Sequence, residues 1–162
     1  MKTLFLMRHA KAGPSQAGMA DFDRPLVPEG VAASERIGEF IKSEGLVIDA
    51  VFSSAAVRAR QTVEAVLQAA GLALNIKYDE RIYQAGPLQL LEVLSELERD
   101  VTSMLVVGHN PTMEELIKLC TQESVHLSAG TLGQIEFEIE QWDEVPGANG
   151  ALVRTIQPKD LV

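Results

Sequence analysis

Three short polar segments, far apart in the sequence, combine residue types that can bind and transfer a phosphoryl group. Arg8 and His9 follow one apolar run, Arg58 lies just after the pair Ser53-Ser54, and His109 follows a second apolar run. Guanidinium groups bind phosphate oxygens through a planar fork of donors, and a neutral histidine nitrogen is a competent nucleophile toward phosphorus. The residue types therefore indicate phosphoryl-transfer chemistry, provided that the fold brings the segments together.

The elements that must position these segments alternate between strand and helix. Hydrophobic patterning and capping residues predict strands at 2–7, 48–52, 72–78, 103–107, 132–139 and 151–156, and helices at 28–44, 55–70, 87–99 and 112–120. This alternation predicts an α/β fold, a three-layer α/β/α sandwich with a mostly parallel mixed sheet and a C-terminal β-hairpin. No repeat or linker divides the chain, so we expect residues 1–162 to form a single domain.

The predicted topology places the polar segments at one edge of the sheet. Ligands of open α/β sheets bind outside the carboxyl ends of the parallel strands, where Arg8, His9, Arg58 and His109 are all expected. Two imidazoles and two guanidiniums repel one another unless an anion lies among them, and helix N-termini nearby add further N–H donors. The neighbouring cations lower the pKa of His9 and leave it neutral. Arg8, Arg58 and His109 can then stabilise the phosphoryl oxygens with no metal and no cofactor.

Three segments in this order resemble the histidine phosphatase superfamily. They are LMRHA at 6–10, SSAAVRARQT at 53–62 and GHNP at 108–111. The short chain, the segment DRPLVPEG at 23–30 and the lack of a large insertion after the third strand resemble the SixA-type phosphohistidine phosphatases. The resemblance implies a phosphoglycerate mutase-like fold in which His9 becomes phosphorylated and Arg8, Arg58 and His109 bind the phosphoryl group. Two departures are Ala10, where the superfamily mostly has Gly, and Ala55-Ala56 in place of Ser-Pro.

Four further residues are candidates around this pocket. Superfamily members often carry an acidic residue after the third strand, and Glu80 is the nearest match, so it is a candidate general acid for an alkoxide leaving group. Arg24, Ser15 and Asn110 are candidate substrate-binding residues. An alternative for Arg24 is a solvated ion pair within its own loop, which also contains Asp21.

The composition excludes several other classes of function. The chain has 162 residues, 46% hydrophobic and 23% charged, with a formal net charge of −9. An acidic chain without a basic stretch is a poor candidate for binding nucleic acid or anionic membranes. No apolar run reaches the roughly 18 residues that span a bilayer, and the N-terminal apolar run is too short for a signal peptide. With one cysteine, Cys120, expected in the core, we expect a cytoplasmic protein; His126 is expected at the surface.

The sequence thus predicts a metal-independent phosphatase that acts through a phosphohistidine on His9. Its expected substrate is a phosphohistidine in a protein such as a phosphotransfer domain, because a small chain leaves a shallow pocket that another protein can reach. A small-molecule phosphomonoesterase of the same superfamily is the main alternative, and Glu80 would matter there. A phosphate-binding module without catalysis is a third interpretation, and the sequence does not indicate an oligomeric state.

Overall fold

The computed structural model describes residues 1–161, in which a six-stranded sheet carries helices on both faces. The strands are β1 (Lys2–Arg8), β2 (Ala50–Ser53), β3 (Ile76–Tyr78), β4 (Ser103–Gly108), β5 (Leu132–Phe137) and β6 (Ala151–Ile156). The helices are α1 (Pro28–Ser43), α2 (Val57–Ala70), α3 (Arg81–Gln84), α4 (Pro87–Ser95) and α5 (Thr112–Thr121). Short 3-10 turns lie at Asp21–Asp23, Trp142–Gly147 and Pro158–Asp160.

The sheet has the order β3-β2-β4-β1-β5-β6 and is mixed. The four strands β3, β2, β4 and β1 are parallel, whereas β5 runs antiparallel to β1 and β6 antiparallel to β5. This topology confirms the predicted α/β sandwich and its C-terminal antiparallel pair. Because β1 and β4 lie in the middle of the sheet, their carboxyl ends meet near its centre.

The core consists of two apolar layers, one on each face of the sheet. Successive side chains of a strand point to opposite faces, and β1 follows this rule. Leu4 and Leu6 belong to the layer that includes α4 and α5, whereas Phe5 and Met7 belong to the layer that includes α1 and α2. All four side chains are buried. The central strands are therefore apolar on both faces, and polar side chains appear only where the strands end.

Several predicted boundaries differ from the structure. The third strand begins at Ile76 rather than at residue 72, and the fourth helix ends at Ser95 rather than at residue 99. The short helix α3 was not predicted. Between β5 and β6 the chain makes no tight turn, because residues 138–150 include a 3-10 turn that buries Trp142 beside α4. No helix within residues 1–161 combines the length and the apolar character needed to cross a bilayer.

Candidate active site

The strand register brings the three predicted segments to the same edge of the sheet. Arg8 pairs with Gly108 at the carboxyl ends of β1 and β4, and the backbone N–H of His9 donates to the Gly108 carbonyl at 3.0 Å. On the other side of β4, the N–H of Ser54 donates to the Val107 carbonyl at 3.0 Å. These backbone bonds fix the starting point of each loop, so the side chains beyond them converge.

The imidazole of His9 is held in one orientation by hydrogen bonds at both ring nitrogens. Its Nδ1 lies 2.7 Å from the carbonyl oxygen of Ala10, so the N–H at this position donates and Nε2 carries the lone pair. The Nε–H of Arg58 points to that lone pair, with an N–N distance of 3.3 Å. Burial lowers the pKa of His9 to about 4, and the charges of Arg58, Arg8 and Arg24 act in the same direction. His9 is therefore neutral at physiological pH, and Nε2 is the ring nitrogen that carries its lone pair.

Residues of α2 fasten the backbone beside His9. The backbone N–H of Ala10 donates to the buried hydroxyl of Thr62 at 3.0 Å, and that hydroxyl donates to the carbonyl of Arg58 at 2.7 Å. One residue earlier, the side-chain oxygen of Gln61 accepts the N–H of Leu26 at 2.7 Å. The two polar residues one turn after Arg58 thus attach the loop that follows β1 to the helix that carries the arginine.

Arg58 is buried, and a carboxylate holds the outer part of its guanidinium. Nη1 donates to the main-chain oxygen of Asp21 at 2.7 Å, and Nη2 donates to its Oδ2 at 3.0 Å. The sequence offered Asp21 only as a partner for Arg24, and the structure shows that it pairs with both arginines, at 2.8 Å from Arg24. Nothing in the sequence links Asp21 to a helix 37 residues away.

His109 lies against His9, with ring centroids 5.1 Å apart. Its Nε2 is hydrogen-bonded to the hydroxyl of Ser54 at 2.8 Å, and its Nδ1 is buried without a partner in residues 1–161. Burial lowers the pKa of His109 to about 3, and the proximity of His9 and Arg58 contributes. The ring edge of Tyr83 packs on His109 at 5.5 Å between centroids. Tyr83 is a further member of the cluster that the sequence did not indicate.

Arg8 and Asn110 approach the site from the side of β5 and share one acceptor. Nη1 of Arg8 donates to the carbonyl of Leu127 at 3.0 Å, and Nδ2 of Asn110 donates to the same oxygen at 2.9 Å. Arg8 Nε and Asn110 Oδ1 are buried and have no hydrogen-bond partner within the described chain. A buried guanidinium donor in this position suits a phosphoryl oxygen, because such a bond is charge-assisted. The fold thus brings Arg8, His9, Arg58 and His109 together as predicted, and their catalytic roles stay predictions.

The other candidate residues from the sequence differ in their exposure and in their contacts. Arg24 donates to Asp21 and, at 3.0 Å, to the carbonyl of Gly13, so it forms the ion pair within its loop, and its role in substrate binding stays a prediction. Ser15 is exposed, and its side chain forms no hydrogen bond to residues 1–161. The carboxylate of Glu80 is exposed, and among the described residues it forms neither an ion pair nor a side-chain hydrogen bond. The structure does not bring Ser15 or Glu80 into the cluster, and their roles stay predictions.

Two histidines and two arginines are a donor set for an anion rather than for a divalent cation, since the guanidinium charges oppose a metal ion. Within residues 1–161, no three His, Cys, Asp or Glu side chains are grouped in a way that could hold a metal.

The two remaining residues that the sequence analysis placed lie where it expected them. His126 is exposed and its Nδ1 lies 3.0 Å from the carboxylate of Glu114, and Cys120 is buried.

The sheet order and the two helical layers define an α/β protein of the phosphoglycerate mutase-like architecture. Residues 4–84 match the model of the histidine phosphatase superfamily (branch 1). Phosphohistidine phosphatase SixA of Escherichia coli is 30% identical over 124 residues, which cover 75% of this chain and 76% of that protein. The chain belongs to the histidine phosphatase superfamily, and its resemblance is to the SixA type.

Other relatives agree with this assignment. An uncharacterised protein of Mycobacterium tuberculosis is 40% identical over 110 residues, which cover 68% of this chain and 66% of the relative, so the match spans about two thirds of that protein. The solved structure of a candidate phosphohistidine phosphatase SixA from Nakamurella multipartitia superposes with a TM-score of 0.85 at 29% identity, and it covers 97% of this chain and 96% of its own. The predicted superfamily, type and fold are thereby confirmed.

Proposed function

We propose that this phosphatase removes the phosphoryl group from a phosphohistidine in another protein, through a covalent phosphohistidine on His9. The observation that carries the proposal is the protonation and hydrogen bonding of the His9 imidazole. Its Nδ1–H is bonded to the Ala10 carbonyl and its neutral Nε2 faces the Nε–H of Arg58. A lone pair at a fixed position, next to buried cationic donors, is suited to attack on phosphorus.

The first step transfers the phosphoryl group to the enzyme. Nε2 of His9 forms a bond to phosphorus while the P–N bond of the substrate breaks, and the departing imidazole nitrogen takes up a proton from water. Arg8, Arg58 and His109 surround the position of the three phosphoryl oxygens, and donors preorganised there lower the barrier to transfer. An imidazole is a better leaving group than an alkoxide, so this route does not depend on a carboxylic acid in the site.

The second step returns the enzyme to its starting form. Water attacks the phosphorus of phospho-His9, and the Nε2–P bond breaks with its electron pair returning to Nε2. One proton of this water stays on the departing phosphate, and the other neutralises the hydroxide left when water protonated the imidazole in the first step. The same cationic groups stabilise the phosphoryl oxygens in both steps, because the geometry around phosphorus is similar. No metal ion takes part in this proposed route.

The preference for a protein substrate rests on how little chain lies beside the site. Between β3 and α4 there are eight residues, 79–86, which include only the short helix α3. A mutase or a small-molecule phosphatase benefits from a cap that encloses its substrate and excludes water. An uncapped edge is accessible to a side chain on another protein. The similarity to the Escherichia coli protein named phosphohistidine phosphatase SixA also supports a phosphohistidine substrate.

The decisive experiment compares a phosphohistidine-bearing phosphotransfer domain with a generic aryl phosphate, with chelator present throughout. The proposal expects wild-type turnover of the protein substrate that is lost in His9→Ala and kept in the control His126→Ala, whose exposed side chain pairs with Glu114 and contacts none of the four clustered residues. Turnover of the aryl phosphate alone would instead establish the small-molecule phosphomonoesterase. Binding of phosphate without turnover of either substrate would establish the non-catalytic module.

Two further measurements separate the routes. A phosphoenzyme trapped from labelled phosphotransfer domain should be stable to alkali and labile to acid, as a phosphoramidate is, and should be absent in His9→Ala. Glu80→Gln should leave turnover of the phosphohistidine protein unchanged, because an imidazole leaving group does not need the acid. An equal loss of turnover on both substrates in Glu80→Gln would contradict the preference for protein phosphohistidine.

A further inference from the structure

A carboxylate of the protein already lies in the cationic cluster. Oδ2 of Asp21 accepts from Nη2 of Arg58 at 3.0 Å and from the hydroxyl of Tyr83 at 2.7 Å, and its Oδ1 accepts from Arg24 at 2.8 Å. Three donors from different parts of the chain therefore converge on one carboxylate. The loop after β1, the helix α2 and the short helix α3 are joined at this point.

The contacts of Asp21 fix the direction in which Arg58 presents its remaining donor. The backbone oxygen and Oδ2 of Asp21 bind Nη1 and Nη2, so the guanidinium plane cannot turn without breaking both bonds. In this plane the Nε–H faces Nε2 of His9 at 3.3 Å. The guanidinium carbon also lies 5.8 Å from the centre of the Tyr83 ring, which restricts it from one side.

Asp21 acts by its charge and not by moving a proton. The hydrogen bond from Tyr83, and then those from Arg24 and Arg58, hold the pKa of this carboxyl well below its usual range. It is therefore ionised throughout the pH range in which a phosphatase works and is too weak a base to accept a proton from water. The hydrogen bond to Asp21 raises the pKa of Tyr83, so the hydroxyl stays protonated as a donor.

We propose that Asp21 is a positioning residue that holds the guanidinium of Arg58 beside His9, where the phosphoryl group binds. The inference rests on the proposed roles of His9 and Arg58. In the free enzyme, Asp21 supplies the anion that the cationic cluster requires, and in the transition state it maintains the alignment of Arg58. Preorganised donors of this kind stabilise a transition state more than a ground state.

The positioning role of Asp21 predicts a combination of changes in phosphate binding and kcat that other roles of this residue do not predict. Loss of the negative charge makes the cluster more attractive to anions, so phosphate should bind Asp21→Asn as tightly as wild type or tighter. The alignment of Arg58 is lost at the same time, so kcat should fall. A carboxylate that only competes with substrate would give tighter phosphate binding with kcat unchanged or higher, and one that only supports folding would weaken both.

The test measures turnover of the phosphohistidine-bearing domain and calorimetric binding of inorganic phosphate for wild type, Asp21→Asn and Asp23→Asn. Asp23 is the matched control, because it lies in the same 3-10 turn, carries the same charge and has no side-chain partner within the described part of the chain. We expect kcat to fall about 10- to 100-fold in Asp21→Asn, with phosphate affinity equal or up to about tenfold higher. Asp23→Asn should match wild type in both.

A second variant tests whether the loss of kcat can be separated from a general loss of structure. Tyr83→Phe keeps the ring that packs on His109 and removes only the hydroxyl that binds Asp21, so kcat should fall about threefold to tenfold while the melting temperature falls by at most about 4 °C.

The outcomes distinguish this inference from the proposed function. Wild-type turnover that is lost in His9→Ala, combined with an unchanged kcat in Asp21→Asn, would remove the role of Asp21 and leave the function in place. A parallel loss of kcat and of phosphate binding in Asp21→Asn would also overturn it, in favour of a structural role. A wild-type protein without turnover would remove the proposed function and this inference with it.

Discussion

Nε of Arg58 lies 3.3 Å from Nε2 of His9, although the two residues are 49 positions apart in the chain. The distance matters because each atom depends on other contacts for its orientation. The Nδ1–H of His9 is bonded to Ala10, and both terminal nitrogens of Arg58 are bonded to Asp21. The relative orientation of the two side chains is therefore fixed by contacts on both of them.

Arg58→Lys tests whether this geometry matters beyond its charge. A lysine keeps the positive charge but cannot bind Asp21 at two points and face His9 at the same time. We expect kcat/KM for the phosphohistidine substrate to fall about 100- to 1000-fold, the range for loss of one transition-state donor. The control is Arg60→Lys on the same helix, where the arginine contacts the Ala55 carbonyl and the Tyr78 ring outside the cluster. A loss of less than about threefold in Arg58→Lys would show that charge alone suffices.

The state of His9 can be tested through the dependence of stability on pH. A solvated histidine has a pKa of about 6.5, whereas His9 in the folded protein has a pKa of about 4. Between pH 6.5 and pH 4 the unfolded chain binds a proton at His9, whereas the folded chain does not. The free energy of unfolding therefore falls as the pH falls from about 6.5 toward 4.

Urea unfolding at pH 7 and pH 5 measures this effect directly. Between these two pH values His9 should contribute a loss of at most about 2 kcal/mol in the free energy of unfolding of wild type. His9→Gln should lose less than wild type by about that amount, because glutamine does not titrate. In NMR titrations the His9 imidazole should remain neutral down to about pH 4. Equal pH dependence in both proteins would show that His9 titrates like a solvated imidazole.

The parts of the fold and site that could be predicted are those determined by local sequence. Apolar runs identify the strands, and the polar residues that end them, Arg8, His9 and His109, could be placed at one edge by topology alone. Arg58 could be added because it lies in the first turn of the helix after β2. Each of these inferences needs only the order of the elements.

The contacts that could not be predicted depend on packing between distant segments. Asp21 lies in a three-residue 3-10 turn and Tyr83 on a four-residue helix, and both elements are too short for periodicity to reveal. Their hydrogen bond joins residues 62 positions apart. The late start of β3 has a related cause, because only Ile76, Lys77 and Tyr78 find partners on β2 and the apolar residues before them do not.

Cys120 should be unreactive in the folded protein. The thiol is buried, and burial raises its pKa to about 12, so very little thiolate forms at pH 8. We expect a thiol-specific reagent to modify the folded protein at least about 100-fold more slowly than the urea-unfolded chain, with no change in phosphatase activity during the exposure. Fast modification under native conditions would indicate that the end of α5 opens readily.

The contact between α1 and α2 should be intolerant of any side chain at Gly38. A Cβ built there would lie 2.3 Å from the carbonyl oxygen of Val66 and 2.7 Å from the Cβ of Ala69. Alanine favours helix by up to about 1 kcal/mol over glycine, but the two helices would have to move apart, which costs about 1–3 kcal/mol. Gly38→Ala should therefore be less stable in thermal unfolding, whereas Gly147→Ala, where no atom lies within 4 Å, should be close to wild type. A more stable Gly38→Ala would contradict the close packing of the helices.

Ser54 offers a way to test whether the orientation of His109 contributes to turnover. Its hydroxyl is the hydrogen-bond partner of His109 Nε2 at 2.8 Å, and Nδ1 of the same ring has no partner in residues 1–161. Ser54→Ala removes the one bond that holds the ring, so kcat for the phosphohistidine substrate should fall about tenfold, which corresponds to about 1.4 kcal/mol.

The neighbouring serine supplies the matched control for this change. Ser53 is equally buried, but its hydroxyl donates to the backbone oxygen of Ser54 at 2.9 Å and forms no hydrogen bond to His109. Ser53→Ala loses one buried hydrogen bond, whereas Ser54→Ala loses two, because the Ser54 hydroxyl also accepts from the backbone N–H of Ala56 at 3.2 Å. In urea unfolding we expect losses of about 1 and about 2 kcal/mol. Only Ser54→Ala should lose turnover, because only there is the imidazole released. Equal kinetics in the two variants would show that packing against His9 and Tyr83 is enough to orient His109.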